Sequence, residues 1–284
     1  MRRLRHAVYA SLLLPSLVCA QESKTAPTPP QVKIPELKSA NVTIVCGDCG
    51  RPFDTETHEK VLDGLVSNPY NQQLRKALYT QDSLHQFESK AHFDNCDFDD
   101  ATQYLDQLLA DVDANVKRAV QAKASGNQDA AQGAVKNAFF SLGQALHGVQ
   151  DFYAHSNYVE ISVKNARSFA DLSILSAWTP EGKKSIGDLR GKGLISGFVF
   201  WGLPQKCPSG TLSHSALAKD NAGTRSGAVK IARLENRSQY QIAVQLARAT
   251  SQALVDHAFS RWPLLKEFNG PNAAFEVLID ARDL

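Results

Sequence analysis

The 284-residue chain has no apolar run long enough to span a bilayer, no excess of charge of either sign, and only five cysteines. Each shortage removes a class of protein. The most apolar stretches, residues 7–18 and 193–203, fall short of the roughly 20 residues a membrane helix needs. Lys+Arg total 31 against 29 Asp+Glu, so no basic surplus recruits nucleic acid or anionic lipid. No internal repeat is visible, and no basic–aromatic stripe marks a cleft for stacked bases.

What is present begins with a leader. Arg2, Arg3 and Arg5 precede the apolar run 7–18, and Val18-Cys19-Ala20 forms a small-residue cleavage site. Residues 1–20 are therefore expected to be a signal peptide, cut after Ala20, and the protein secreted or extracytoplasmic. A lipoprotein reading at Cys19 is weaker because Val18 is bulky for that position. Losing three arginines leaves 28 basic against 29 acidic residues, a net charge near −1. Residues 21–40, with Pro27, Pro29, Pro30 and Pro35, read as a Pro-rich linker. Residues 41–284 are expected to form one helical metal-binding domain. Cys46, Cys49, Cys96 and Cys207 remain, an even number that favours disulfides in an exported chain. Three pairings are possible; Cys46–Cys49 with Cys96–Cys207 is the expectation. A redox role for Cys46-Gly-Asp-Cys49 lacks the βαβ context, and a four-cysteine zinc site is the weaker alternative. Asn41-Val-Thr and Asn236-Arg-Ser match the glycosylation acceptor pattern, which counts only in a eukaryotic secretory path.

Hydrophobic periodicity predicts an all-α fold. The pattern turns helical at Thr55, where Thr55 or Thr57 can cap and Val61, Leu62 and Leu65 share a face. A second helix is expected over 72–79. A long helix over 98–124, capped by Asp97, would bury Leu105, Leu108, Leu109, Val112, Val116 and Val120. Another runs over 129–156 after a break at Gly126, and a last helical region covers 229–262 until Pro263 stops it. Frequent Gly and Pro between Trp178 and Ser226 predict loops and a small hairpin. Residues 193–203 within it read as a buried strand or loop, or as an exposed flap that touches lipid.

The chemistry concentrates in the helix over 129–156. His147, Asp151 and His155 stand four residues apart, so they project from one stripe over about two turns. Around them Ala138, Phe139, Phe140, Leu142, Leu146, Val149, Phe152 and Tyr153 make the helix apolar enough to be buried. Three ionisable groups on a buried stripe lose hydration that something must offset. A metal ion does so, and imidazole plus carboxylate are ligands that zinc takes. The competing explanation is a structural His–Asp pair, with imidazoles bonded to backbone carbonyls. His58, His92 and His214 could fold around the same cleft, whereas His85 and His257 have no partner motif.

The run His147-Gly-Val-Gln-Asp151-Phe-Tyr-Ala-His155-Ser-Asn resembles the signature of the Het-C-like family of fungal heterokaryon-incompatibility proteins and bacterial relatives. Thr57-His58-Glu59 and His92-Phe93-Asp94 resemble that family's other short motifs, in the same order. His214-Ser-Ala-Leu-Ala-Lys-Asp220 is similar to a later Asn-Lys-Asp segment, with Ala218 at the Asn position. The resemblance spans about 42–260. That family is similar in turn to zinc-dependent phospholipases C and fungal single-strand nucleases, all-helical enzymes with three clustered zinc ions.

The resemblance implies a multi-helix bundle with irregular loops. Asp82, His92, His147 and Asp151 would hold one zinc ion, and Asp151 would bridge to a second on His58. A third would take His155, with His214, Asp220 or Glu160 as additions. Asp94, or Glu59, is the candidate general base, against the plainer reading of each as a solvated acid. The chain departs from those enzymes at three points. No Trp stands where the mature chain is expected to begin, the step from Asp151 to His155 is four rather than six, and the later His-x-x-x-Glu pair is missing. One to three zinc ions are therefore expected. The implied activity is that of a secreted zinc-dependent phosphodiesterase, phospholipase C-like. Its substrate would be a phosphodiester, for instance phospholipid at a membrane surface. A single-strand nuclease, and a non-catalytic surface or recognition protein with structural metal, are the alternatives.

Overall fold

Capping residues, glycines and prolines cut the chain into helices, which the computed structural model describes over residues 55–200 and 205–270. In chain order these are α1 (Thr55–Leu62), α2 (Asn68–Leu84), α3 (Ser89–His92), α4 (Phe98–Ala124), α5 (Gln128–His155) and α6 (Tyr158–Val163). They are followed by α7 (Pro180–Arg190), α8 (His214–Leu217), α9 (Gln239–Arg261) and α10 (Pro263–Asn269). Among the described residues the one sheet is a two-stranded antiparallel pair, β1 (Lys230–Ile231) and β2 (Arg237–Ser238). The fold is all-α, as the periodicity predicts.

Helix α5 is the central rod, packed by α2, α4 and α9. Asn127 caps it by accepting from the Ala130 amide at 3.0 Å. From Ala138 onward nearly every α5 residue is buried, so this helix is enclosed on all sides rather than amphipathic. Phe93, Phe98, Phe152, Tyr153 and Tyr158 pack edge-on or tilted about its C-terminal turns. The α2–α5 contact is close: a Cβ at Gly143 would lie 2.7 Å from Ala77 Cβ and 2.8 Å from Leu74 Cα. Only a residue without a side chain allows that approach.

Several boundaries differ from the sequence reading. Helix α2 is longer at both ends than expected, and Pro69 supports its added first turn. Thr57 lies inside α1, its hydroxyl 3.0 Å from that of Tyr240. Asp97 occupies the cap position of α4 without a capping bond and instead pairs with Lys206 at 2.7 Å. Val120 is 51 % exposed; the stripe drifts around the axis until Ala119 takes the inner position. The region over 229–262 is not one helix. It opens with the β1–β2 pair, and α9 starts at a reciprocal box between Ser238 and Gln241. Asn236 lies exposed between the two strands.

The loop region 178–226 contains α7, which the glycine content concealed. Thr179 accepts from the Gly182 amide at 3.0 Å and Pro180 opens the helix. Among the described residues the hairpin is thus at 230–238, not within 178–226. Residues 193–200 divide the two readings of that stretch: Leu194, Ser196 and Val199 are buried, whereas Phe198 and Phe200 face out. No helix among the described residues is long and apolar enough to cross a membrane. The expected leader (1–20), the linker (21–40), Asn41, Cys46 and Cys49 lie outside the described residues. Cys96 and Cys207 are joined in a disulfide, which removes both from any zinc site.

Candidate metal centre

Helix geometry puts His147, Asp151 and His155 on one buried stripe of α5, and the surrounding elements converge on it. His58 comes from α1, Asp82 from α2, His92 from the end of α3, Asp94 from the turn that follows, and His214 from α8. Asp220 arrives on the segment after α8. His85 and His257 stay outside: His85 pairs with Glu88 at 2.7 Å, and His257 lies against Trp178.

Asp151 is the hub. Its Oδ1 is 3.2 Å from His58 Nε2 and 3.9 Å from His155 Nε2. Its Oδ2 is 2.9 Å from His92 Nδ1 and 3.2 Å from His147 Nδ1. His147 Nε2 also lies 2.9 Å from Asp82 Oδ1, and the His58 and His147 rings stack at 4.4 Å. A second focus forms around Asp94, His155, His214 and Asp220. His214 Nδ1 sits 2.9 Å from Asp94 Oδ1, and its Nε2 is 3.4 Å from Asp220 Oδ2. His155 Nε2 is 3.3 Å from Asp220 Oδ1. Three ligand triads have donor atoms within 4.8 Å of one another: His58–His147–Asp151, Asp82–His92–His147 and Asp94–His155–His214.

Supporting groups fix the imidazoles. Gln150 Oε1 meets His58 Nδ1 at 2.6 Å, and Gln150 in turn donates to Ser251 at 3.0 Å. The main-chain oxygen of His92 accepts from His155 Nδ1 at 2.9 Å. Each leaves Nε2 directed into the cluster, the arrangement that orients metal-bound histidines.

The donor set fits a metal by a test of its own. Five buried atoms in the cluster make no well-aligned hydrogen bond, although three of the contacts among them and their neighbours are 3.2–3.3 Å: His92 Nε2, His147 Nδ1, Asp151 Oδ1, His155 Nε2 and Asp220 Oδ1. Buried polar atoms without partners are rare and each requires a reason. Imidazole nitrogens and carboxylate oxygens are zinc-type donors.

The electrostatics of the cluster reflect the same crowding of imidazoles and carboxylates. Burial opposes ionisation of Asp151, yet His147 and His155 beside it and bonds to His58 and His92 hold its carboxyl well below the usual range. Burial likewise opposes charge on Asp220, and bonds to His155 and His214 outweigh it, lowering the group to about 2. Burial disfavours a charged His155, but Asp151 and Asp94 raise it to about 9. His147 is lowered, with burial the largest cause. Three buried carboxylates and the partly buried Asp82 among five imidazoles demand positive charge, from protons or from cations.

Glu160 does not join the cluster. It accepts from the fully buried Lys219 at 3.0 Å and from Ser226 at 2.8 Å, an ion pair behind Asp220. Asp94 is not a free base: it is buried, 2.9 Å from His214 and 3.7 Å from His155, the position of a ligand. Glu59 stands apart, with Tyr79 and Arg75. Gln150 and Asn95 went unread in the sequence. Gln150 lies inside the α5 motif between two ligands, which was the available signal; Asn95 had none.

Among protein families, the one described as the VWA7 N-terminal domain matches residues 71–174. That segment carries Asp82, His92, Asp94, His147, Asp151 and His155, while His58, His214 and Asp220 fall outside it. No curated protein and no solved structure gives a significant match.

Proposed function

We propose that this chain is a secreted zinc-dependent phosphodiesterase, phospholipase C-like, with Asp151 at the heart of its reaction centre. One observation carries the reading. The two oxygens of a single buried carboxylate each face two imidazoles, the arrangement of a ligand shared between neighbouring ions. His58, Asp82, His92 and His147 complete that half; Asp94, His155, His214 and Asp220 form the other. A zinc ion held by these residues would supply Lewis acidity, lowering the pKa of water from about 15.7 toward about 7 and neutralising phosphoryl oxygens. The chain's own residues keep the site ready: Asp151 stays ionised, Gln150 and the His92 carbonyl hold ring orientations, and the aromatic shell about α5 keeps bulk water away. The Het-C-like resemblance of the α5 motif supports the same reading.

A second reading rests on the burial. His58, His147, Asp151, His155 and Asp220 are each no more than 2 % exposed, as in structural sites whose coordination is closed. A non-catalytic recognition protein with structural metal would look this way. A single-strand nuclease is the third; the sequence carries no basic–aromatic stripe that demands it. Metal analysis of the purified protein, with assays on a phosphocholine ester and on single-stranded DNA with and without chelator, separates them. Bound zinc with chelator-sensitive ester cleavage supports the first reading. Bound zinc with neither activity supports the second, and chelator-sensitive DNA cleavage the third. Absence of bound metal overturns all three.

A further inference from the structure

The two halves of the cluster are built differently, and the second needs a device to bring its ligands together. Asp94 lies in a turn where Phe93 (φ 54°), Asn95 (φ 56°) and Cys96 (φ 55°) all adopt the left-handed region. Three non-glycine residues there, within four positions, persist only where the surroundings impose them. The imposing group is Asn95, which is fully buried. Its side-chain nitrogen donates to Ser89 Oγ at 2.7 Å. Its side-chain oxygen accepts from the Val199 amide at 2.8 Å and from Gln205 Nε2 at 2.7 Å. Its amide donates to the Gly197 carbonyl at 2.8 Å, and its carbonyl accepts from the Lys206 amide at 3.0 Å. The Cys96–Cys207 disulfide joins the same two segments covalently.

Those segments carry the opposite wall of the site. The Phe198 amide donates to the Leu212 carbonyl at 3.1 Å, and the His214 amide donates to the Phe198 carbonyl at 2.8 Å. The path from Asn95 through 197–199 to His214 is therefore continuous. It ends where His214 meets Asp94.

We propose that Asn95 is a positioning residue for the Asp94–His155–His214–Asp220 group, with the Cys96–Cys207 disulfide as the covalent part of the same clamp, so that the ion held there depends on both. This rests on the metal-centre reading above. It predicts selective loss: without the clamp the loop-side ion goes, while the Asp151 side keeps its own.

The experiment loads the full-length protein with zinc alone and counts ions per chain, beside Asn95→Gly and the double variant Cys96→Ala/Cys207→Ala. Glycine relieves the left-handed strain while deleting all three side-chain bonds, so it separates the clamp from simple backbone fit. Each variant is expected to hold one ion fewer than the wild type, with unchanged helical circular dichroism. Adding His214→Ala to either should cost no further ion. Asn95→Asp, which keeps both accepted bonds, is expected to recover the ion at least in part. Should Asn95→Gly fail to fold, the cysteine variant decides alone. Wild-type protein that takes up no zinc overturns the metal-centre reading and this inference with it. Zinc-loaded wild type whose ion count survives unchanged in the variants overturns the inference only, as does loss of every ion together.

Discussion

The helix-borne half of the cluster and its loop-borne half solve one problem by different means. Around Asp151 three candidate ligands, His58, Asp82 and His147, sit on helices of eight residues or more, and His92 ends the four-residue α3, so helical spacing and helix packing set most of their positions. Around Asp94 the ligands come from a strained turn, the last residue of α5, a four-residue helix and an irregular segment. The first arrangement is as rigid as the α2–α5 packing. The second is as rigid as a few side-chain bonds and one disulfide. A site half fixed by architecture and half by clamps should therefore fail in two distinguishable ways.

The largest expected effect comes from the residue both halves share. Asp151→Asn should abolish metal binding and lower hydrolysis by more than about a hundredfold, the upper range for losing even a supporting group. His147→Ala should do the same. Full activity of a metal-free preparation of either variant would contradict the metal mechanism.

Two glycines divide the halves. Gly143→Ala forces α2 and α5 apart and is expected to destabilise the protein by about 1–3 kcal/mol, loosening the Asp82–His147 pair. At Gly197 a Cβ would lie 2.5 Å from His214 Cα, so Gly197→Ala should displace His214 and release the loop-side ion. Denaturant titration and ion counting on both variants check this. If both lose the same ion, the two halves are one unit and the comparison collapses.

A smaller effect is expected from Gln150→Leu, which frees the His58 ring. Zinc affinity should weaken by about 10- to 100-fold, measured by chelator competition, with the loop-side ion unaffected.

The mildest test is pH dependence. In the metal-free protein His155 is raised from the ordinary 6.5 to about 9. Its contribution to stability is then fully present below 6.5 and lost as pH rises through about 9. Asp220 is lowered from 3.8 to about 2, so its contribution is present above 3.8 and lost as pH falls through about 2. Metal-free protein should therefore melt highest between pH 3.8 and 6.5 and lower toward pH 9. Zinc requires neutral imidazoles, so the zinc-stabilised increment should grow over that same alkaline range. Thermal melts across the range check both limbs; a metal-free midpoint that climbs toward pH 9 contradicts the assigned charges.

Legibility followed the same division. The three-rung spacing of α5 and the apolar stripes of α4 were readable because a helix repeats locally. The convergence of His58, Asp82 and His92 on that rod was expected through resemblance rather than spacing. Nothing local announces that the buried Lys219 pairs with Glu160. Neither reading of Asp94, as candidate base or as solvated acid, includes its contact with His214, because that contact joins residues 120 positions apart. Helix α7 was missed although Thr179-Pro180 announced it, since the surrounding glycines suggested loops.

The sequence by itself determined the all-α character, the boundaries of α4 and α5 to within a residue or two, and one buried stripe of two imidazoles and a carboxylate. These depend on interactions between residues three or four apart. Tertiary structure alone decided which carboxylates face which imidazoles, that Cys96 meets Cys207, and that Asn95 holds the turn beneath Asp94. Those are contacts between distant segments, fixed by close packing of the whole core and not encoded in any local spacing.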